Sequence, residues 1–161
     1  MITTDDMLRF VDDALDGIVE IVSDLGDEMA NTRLEIPGAN SPFAVLTHCL
    51  GVMEFWGGHV IAGRVIERDR AAEFRAQGDV AALVVRTREA RSRLHDDLAA
   101  LDPPAPPRGV VTGPDARLPL GRTQGGALVH IYEELAQHRG QLEVTRDVLR
   151  APWARKVAAA T

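Results

Sequence analysis

The chain has 161 residues, 45% of them hydrophobic, which suits one domain around a single core and excludes wholesale disorder. Eighteen basic against 24 acidic residues leave a net charge of −6 with no basic stripe, which argues against a partner gripped by its phosphate backbone. A lone cysteine, Cys49, excludes an internal disulfide and a cysteine-built zinc site, so any metal must be held by His, Asp or Glu.

The N-terminus, MITTDDMLRF, carries acids where a secretory signal would carry positive charge. With no apolar run of about 18 residues to span a membrane, the expected location is the cytoplasm. The first predicted helix runs from about Thr4 to Met29, with Thr4 as N-cap and Asp5 and Asp6 at the positive end of the helix dipole. Leu8, Val11, Leu15, Ile18, Val22, Leu25 and Met29 keep a strict three-four spacing, the mark of a stripe packed at shallow angles against partner helices. A turn-rich link, Asn31 to Asn40, follows and contains Pro37-Gly38.

Ser41 as N-cap and Pro42 at the first helical position open a second helix, expected to reach about Arg68. It is apolar on two sides: Phe43, Leu46, Leu50, Met53 and Val60 on one, Val45, His48, Val52, Phe55 and His59 on the other. Such a helix is surrounded by neighbours, which places His48 in a buried setting. Asp69 to Gly78 is charged and reads as a short helical turn or loop. Asp79 caps a third helix whose seam is Val80, Leu83, Thr87, Ala90, Leu94, Leu98 and Leu101, and whose arginine- and acid-rich outer face reads as solvated surface.

Prolines and glycines then block any long helix over DPPAPPRGVVTGPDARLPLGRT, residues 102–123, and a loop of this length often covers a site. Thr123 caps the fourth helix, which runs to about Arg150; Pro152 stops it, leaving 152–161 as a tail. With no strand alternation, the expected fold is all-α, a four-helix bundle. The last helix carries a seam of Leu128, Ile131, Leu135, His138, Leu142, Thr145 and Leu149, and one seam position is a histidine. Glu134, four residues earlier, is about 40° away in azimuth and roughly 6 Å along the axis, so both side chains can converge on one point. That geometry suits a metal site, and it equally suits a core histidine hydrogen-bonded to an acid.

Five histidines compete for such a site. His95, among Arg93, Asp96 and Asp97, reads as surface. His48 and His59 share a face but are about 16 Å apart along the helix, so only one can join; His59 reads as a helix-end residue. His130, Glu134 and His138 fall at i, i+4 and i+8, and the two histidines, about 12 Å apart, cannot easily share an ion. The Glu134/His138 pair is preferred because His138 faces the core, with His130 hydrogen-bonding Glu134 or lining the cavity.

The stretches SPFAVLTHCLGVMEFWGGH, with His48, and LVHIYEELAQHRGQLEVTRDVL, with Glu134 and His138, resemble the DinB-like superfamily. Within it they most resemble the metal-binding helical domain of mycothiol-dependent maleylpyruvate isomerases, over nearly the whole chain. The resemblance implies a four-helix bundle holding a divalent metal, zinc or nickel, through His48, Glu134 and His138. It also implies activation of a low-molecular-weight thiol such as mycothiol, and, by analogy, a homodimer.

Two imidazoles and a carboxylate are the catalytic type of zinc set, which leaves a position open for water or substrate. The catalytic group would then be a metal-activated thiol or water rather than a side chain. Cys49, turned about 100° from His48, reads as core filler. Gln141 is a candidate to hydrogen-bond a metal-bound group, Arg146 to meet an anionic substrate, and Gly140 to let a neighbour approach the backbone beside His138. The chain ends at residue 161, without the C-terminal domain of those isomerases, which favours thiol transfer to a small electrophile over isomerisation. The competing expectation is a non-catalytic bundle with a structural or regulatory metal.

Overall fold

The computed structural model describes residues 2–112 and 121–151, which are helical with no strand among them. The first helix, α1, spans Thr4–Ala30. Its N-cap is Thr3 rather than Thr4: the Thr3 hydroxyl accepts from the Asp6 amide while the Asp6 carboxylate accepts from the Thr3 amide. This reciprocal capping box needs an acid three residues on, and of the two threonines only Thr3 forms it here. Val11, Leu15, Ile18, Val22 and Leu25 are buried as the spacing required.

The second helix departs from expectation. Its α-helical part, α2, spans Pro42–Met53, capped by Ser41, and continues as a π-helical segment, Glu54–Ile61. The helix therefore stops well before Arg68. Gly57 and Gly58 sit where a Cβ would overlap the Leu94 and Arg64 side chains, and Gly63 adopts φ 79°. That left-handed turn, open to glycine at little cost, sends the chain back on itself, with the Arg64 amide bonded to the Gly58 carbonyl. Every residue from Pro42 to Leu50 is buried, so α2 is enclosed as its two apolar faces implied. It touches α1 and the helices α4 and α5 described next.

A four-residue helix, α3, spans Arg70–Glu73 under an Asp69 cap. Helix α4 spans Val80–Leu98, with Asp79 as N-cap and Val80, Leu83, Thr87, Ala90, Leu94 and Leu98 buried. Helix α5 spans Gln124–Arg150 with Thr123 as N-cap. It lies along α1, where Arg139 pairs with Asp13 at 2.7 Å and Arg150 with Asp24 at 2.8 Å. Leu135 and Leu142, both fully buried, flank His138 and contribute on the order of 1.5–3 kcal/mol each. Apolar burial on both sides of His138 therefore helps to hold the helix that carries the site.

The proline-rich loop falls partly on residues 113–120, outside the described residues, as does the tail 152–161. Its described part is pinned. Gln124 bonds the backbone of Asp102 and Pro106, and the Arg108 amide bonds the Val60 carbonyl at 2.8 Å. No helix among the described residues is long and apolar enough to cross a membrane.

Candidate metal centre

His48 is held in place on every side. It is 1% exposed on α2, and Phe74, just past α3, stacks on its ring at 4.4 Å with 26° between planes. Its Nδ1 lies 2.8 Å from Glu73 Oε2 and its Nε2 lies 3.3 Å from Glu134 Oε2. On α5, His138 Nε2 lies 3.6 Å from the same Glu134 oxygen, and its Nδ1 lies 2.8 Å from Gln141 Oε1. The His48 and His138 rings meet edge to face, centroids 5.0 Å apart. One ligand atom from each of His48, Glu134 and His138 lies within 4.8 Å of the others.

The donor set fits a divalent cation. With bonds of about 2.0–2.1 Å, neighbouring ligands of a tetrahedral ion are about 3.3–3.4 Å apart, close to the two imidazole–carboxylate separations. Glu73 offers His48 Nδ1 a carboxylate oxygen and Gln141 turns Oε1 to His138 Nδ1, so each Nδ1 is set to donate, with Arg68 Nη2 also 3.3 Å from His48 Nδ1. The Nε2 lone pairs are then left facing a carboxylate oxygen, three acceptors around one point, and only a proton or a cation between them relieves that.

Without a metal, protons do this work. Burial opposes the charged form of His48, but its hydrogen bonds to Glu134 and Glu73 outweigh burial and raise its pKa. The His138 and His48 imidazoles beside it hold the Glu134 carboxyl far below the usual carboxylate range. Burial pushes Glu73 the other way, yet its bonds to His48 and Arg68 leave its pKa lowered. Glu134 and His138 are 25% and 19% exposed, so the cluster opens to solvent along α5. A cavity of about 40 Å³ adjoins it, with His48, Trp56, His130 and Glu134 in its wall and Arg68 and Arg70 at its edge.

A model of the Mycothiol-S-transferase family matches residues 6–151. The chain belongs to that family. The family lies in the DinB-like superfamily, as the resemblance implied, and its mycothiol-related chemistry implies a small-molecule substrate. No curated protein sequence matches the chain.

In this S-transferase-family chain the remaining candidates are distributed unevenly. His130 is buried against Trp56, centroids 4.5 Å apart. Its Nε2 is 3.8 Å from Glu134 Oε1, too far for a hydrogen bond, so it lines the cavity without bonding the acid. Its Nδ1 instead donates to Glu133 at 3.2 Å. Gln141 is engaged with His138 Nδ1, so it orients that ring where a bond to a metal-bound group had been expected. Arg146 forks onto its neighbour Asp147 at 2.9 and 3.0 Å and is not brought to the cluster. A Cβ on Gly140 would meet nothing within 4 Å, so no close approach explains that glycine. Cys49 is fully buried, and burial pushes its thiol up, away from nucleophile behaviour. His59 lies 2.7 Å from the Arg64 carbonyl and 3.1 Å from that of Val110, and His95 pairs with Asp12; neither joins the site.

The residues missed at the sequence level are Glu73 and Arg68. They stand in the stretch read as a helix end and a charged turn, and nothing in their local spacing points 25 residues back to His48. The one local trace is Gly51, a turn beyond His48, where a Cβ would overlap the Glu73 carboxylate.

Proposed function

We propose that this chain is a divalent-metal-dependent S-transferase that joins a low-molecular-weight thiol, mycothiol in kind, to a small electrophile. The proposed metal ligands are His48 Nε2, Glu134 and His138 Nε2, in a single DinB-type four-helix-bundle domain. The observation that carries the reading is the convergence of two imidazole lone pairs and a carboxylate oxygen, each imidazole held by its own acceptor. Zinc or nickel suits this donor set.

A divalent metal bound by these three side chains would supply the positive charge that favours a thiol as thiolate at neutral pH. The chain's own side chains do the rest. His130, its Nδ1–H committed to Glu133, presents Nε2 to the cavity as the acceptor for the thiol proton. Arg70 lies at the cavity edge over the Phe74 ring at 5.7 Å, with no carboxylate partner among the described residues. It supplies positive charge where an anionic group approaches. Trp56 and Val52 are the apolar part of an otherwise polar cavity wall. The partial exposure of Glu134 and His138 favours this reading over a closed structural metal, which would call for a fourth protein ligand, and none joins the cluster among the described residues. Isomerase activity and a homodimer have no observation of their own in support.

The test is direct. Purified protein loaded with zinc or nickel is assayed with mycothiol, bacillithiol and glutathione against a fluorogenic electrophile. Metal-dependent conjugation with mycothiol is expected. Stoichiometric metal with no response to any thiol would favour the non-catalytic bundle.

A further inference from the structure

Resting on the metal reading above, we propose that Glu73 is a positioning residue for His48, and that the Arg68–Glu73 pair sets the metal affinity of the centre. The pair reaches His48 from a different part of the chain. Glu73 Oε2 accepts from His48 Nδ1 at 2.8 Å, on the side of the ring opposite the Nε2 that faces Glu134. It therefore cannot be a fourth ligand; it acts through the imidazole. It holds the ring in the tautomer that keeps Nε2 free, and its charge makes that nitrogen a stronger donor.

Glu73 is itself fixed. Arg68 grips it with two parallel bonds, Nε to Oε1 at 2.7 Å and Nη2 to Oε2 at 2.9 Å, and both side chains are nearly buried, 12% and 10% exposed. Forked pairing of this kind sets angle as well as distance. Gly51 leaves the room that the carboxylate occupies, and Phe74, the residue after Glu73, stacks on the His48 ring. One short segment, 68–74, thus sets both the tautomer and the tilt of the most deeply buried ligand. A plain strut between α3 and α2 would explain the ion pair but not why its acid ends on Nδ1 of this histidine.

The test compares wild type, Glu73→Ala, Glu73→Gln and Arg68→Gln. Zinc affinity is measured by chelator competition, the cobalt(II) d–d spectrum reports ligand geometry, and circular dichroism of the metal-free proteins reports the fold. Glu73→Ala is expected to weaken zinc binding about 10–100-fold and to alter the cobalt spectrum. Glu73→Gln, which keeps an acceptor but no charge, is expected to fall between it and wild type, as is Arg68→Gln. A folded Glu73→Ala with wild-type affinity and spectrum overturns the proposal while leaving the metal reading intact. If Glu73→Ala does not fold, Glu73→Gln decides, and affinity within twofold of wild type overturns the proposal. A wild-type protein that binds no metal overturns both.

Discussion

Replacing His138 by alanine separates ligation from folding, because the two histidines differ in burial. His138 is 19% exposed, bonds only Gln141 at the surface, and faces a Glu134 that is itself a quarter exposed. Contacts of that kind are worth about 0–1 kcal/mol, so metal-free His138→Ala should melt within about 2–4 °C of wild type. With metal present the difference should be large. At a free metal concentration 1,000 times Kd, binding stabilises the folded state by about 4 kcal/mol, roughly 8–16 °C for a chain of this size. His138→Ala should forfeit most of that shift. His48→Ala should lose the metal as well, but the loss of a side chain only 1% exposed adds a cavity cost of about 3 kcal/mol in the metal-free protein. The assay is thermal denaturation with chelator and with excess zinc or nickel, paired with metal analysis of the purified proteins. His95→Ala, an exposed residue paired with Asp12, is the control and should change neither quantity. A His138→Ala protein with full metal content and an undiminished metal-dependent shift would refute the ligand assignment.

Three further outcomes are expected. In the metal-free protein the raised pKa of His48 gives a stabilisation complete below its ordinary 6.5 and lost as pH rises through the folded value, while the lowered pKa values of Glu73 and Glu134 stabilise above 4.5 and fail as pH falls through theirs. The melting temperature with chelator should therefore be greatest between about pH 4.5 and 6.5 and decline as the pH rises through the folded pKa of His48, and bound metal should remove the alkaline decline; a flat metal-free profile would contradict it. Gly140→Ala fills open space on an exposed helical position and should stabilise by up to about 1 kcal/mol in chemical denaturation, with metal content unchanged. Cys49, fully buried with its thiol pushed up, should resist a thiol reagent in the native protein and react fully in denaturant; native labelling at the unfolded rate would place it near solvent.

What could be read without tertiary structure was whatever depends on neighbours three or four residues apart. Most of the seams of α1, α4 and α5, the Asp79 and Thr123 caps, and the nearness of Glu134 to His138 follow from the pitch of one helix, because such contacts form within a turn; the exception is His138, expected to face the core, which is 19% exposed while His130 is buried. The enclosure of His48 followed from a helix apolar on two faces. The break of the second helix was hidden, because Gly57, Gly58 and Gly63 look like tolerated interior glycines until Leu94 and Arg64 crowd the first two and the third turns to φ 79°. Gln141 illustrates the limit at short range: its spacing allowed contact with His138, but only its proximity to Nδ1 made it a brace for the ring.

Local periodicity in the residues determined most of the helices, many of their buried positions and the Glu134/His138 pair, while the family resemblance added His48. Tertiary packing alone decided that α2 and α5 set those side chains a metal's width apart, and that Glu73 and Arg68 stand behind His48. The reason is one of range: helical pitch is written in every few residues, whereas a contact across 25 or 86 positions exists only once the core has closed around it.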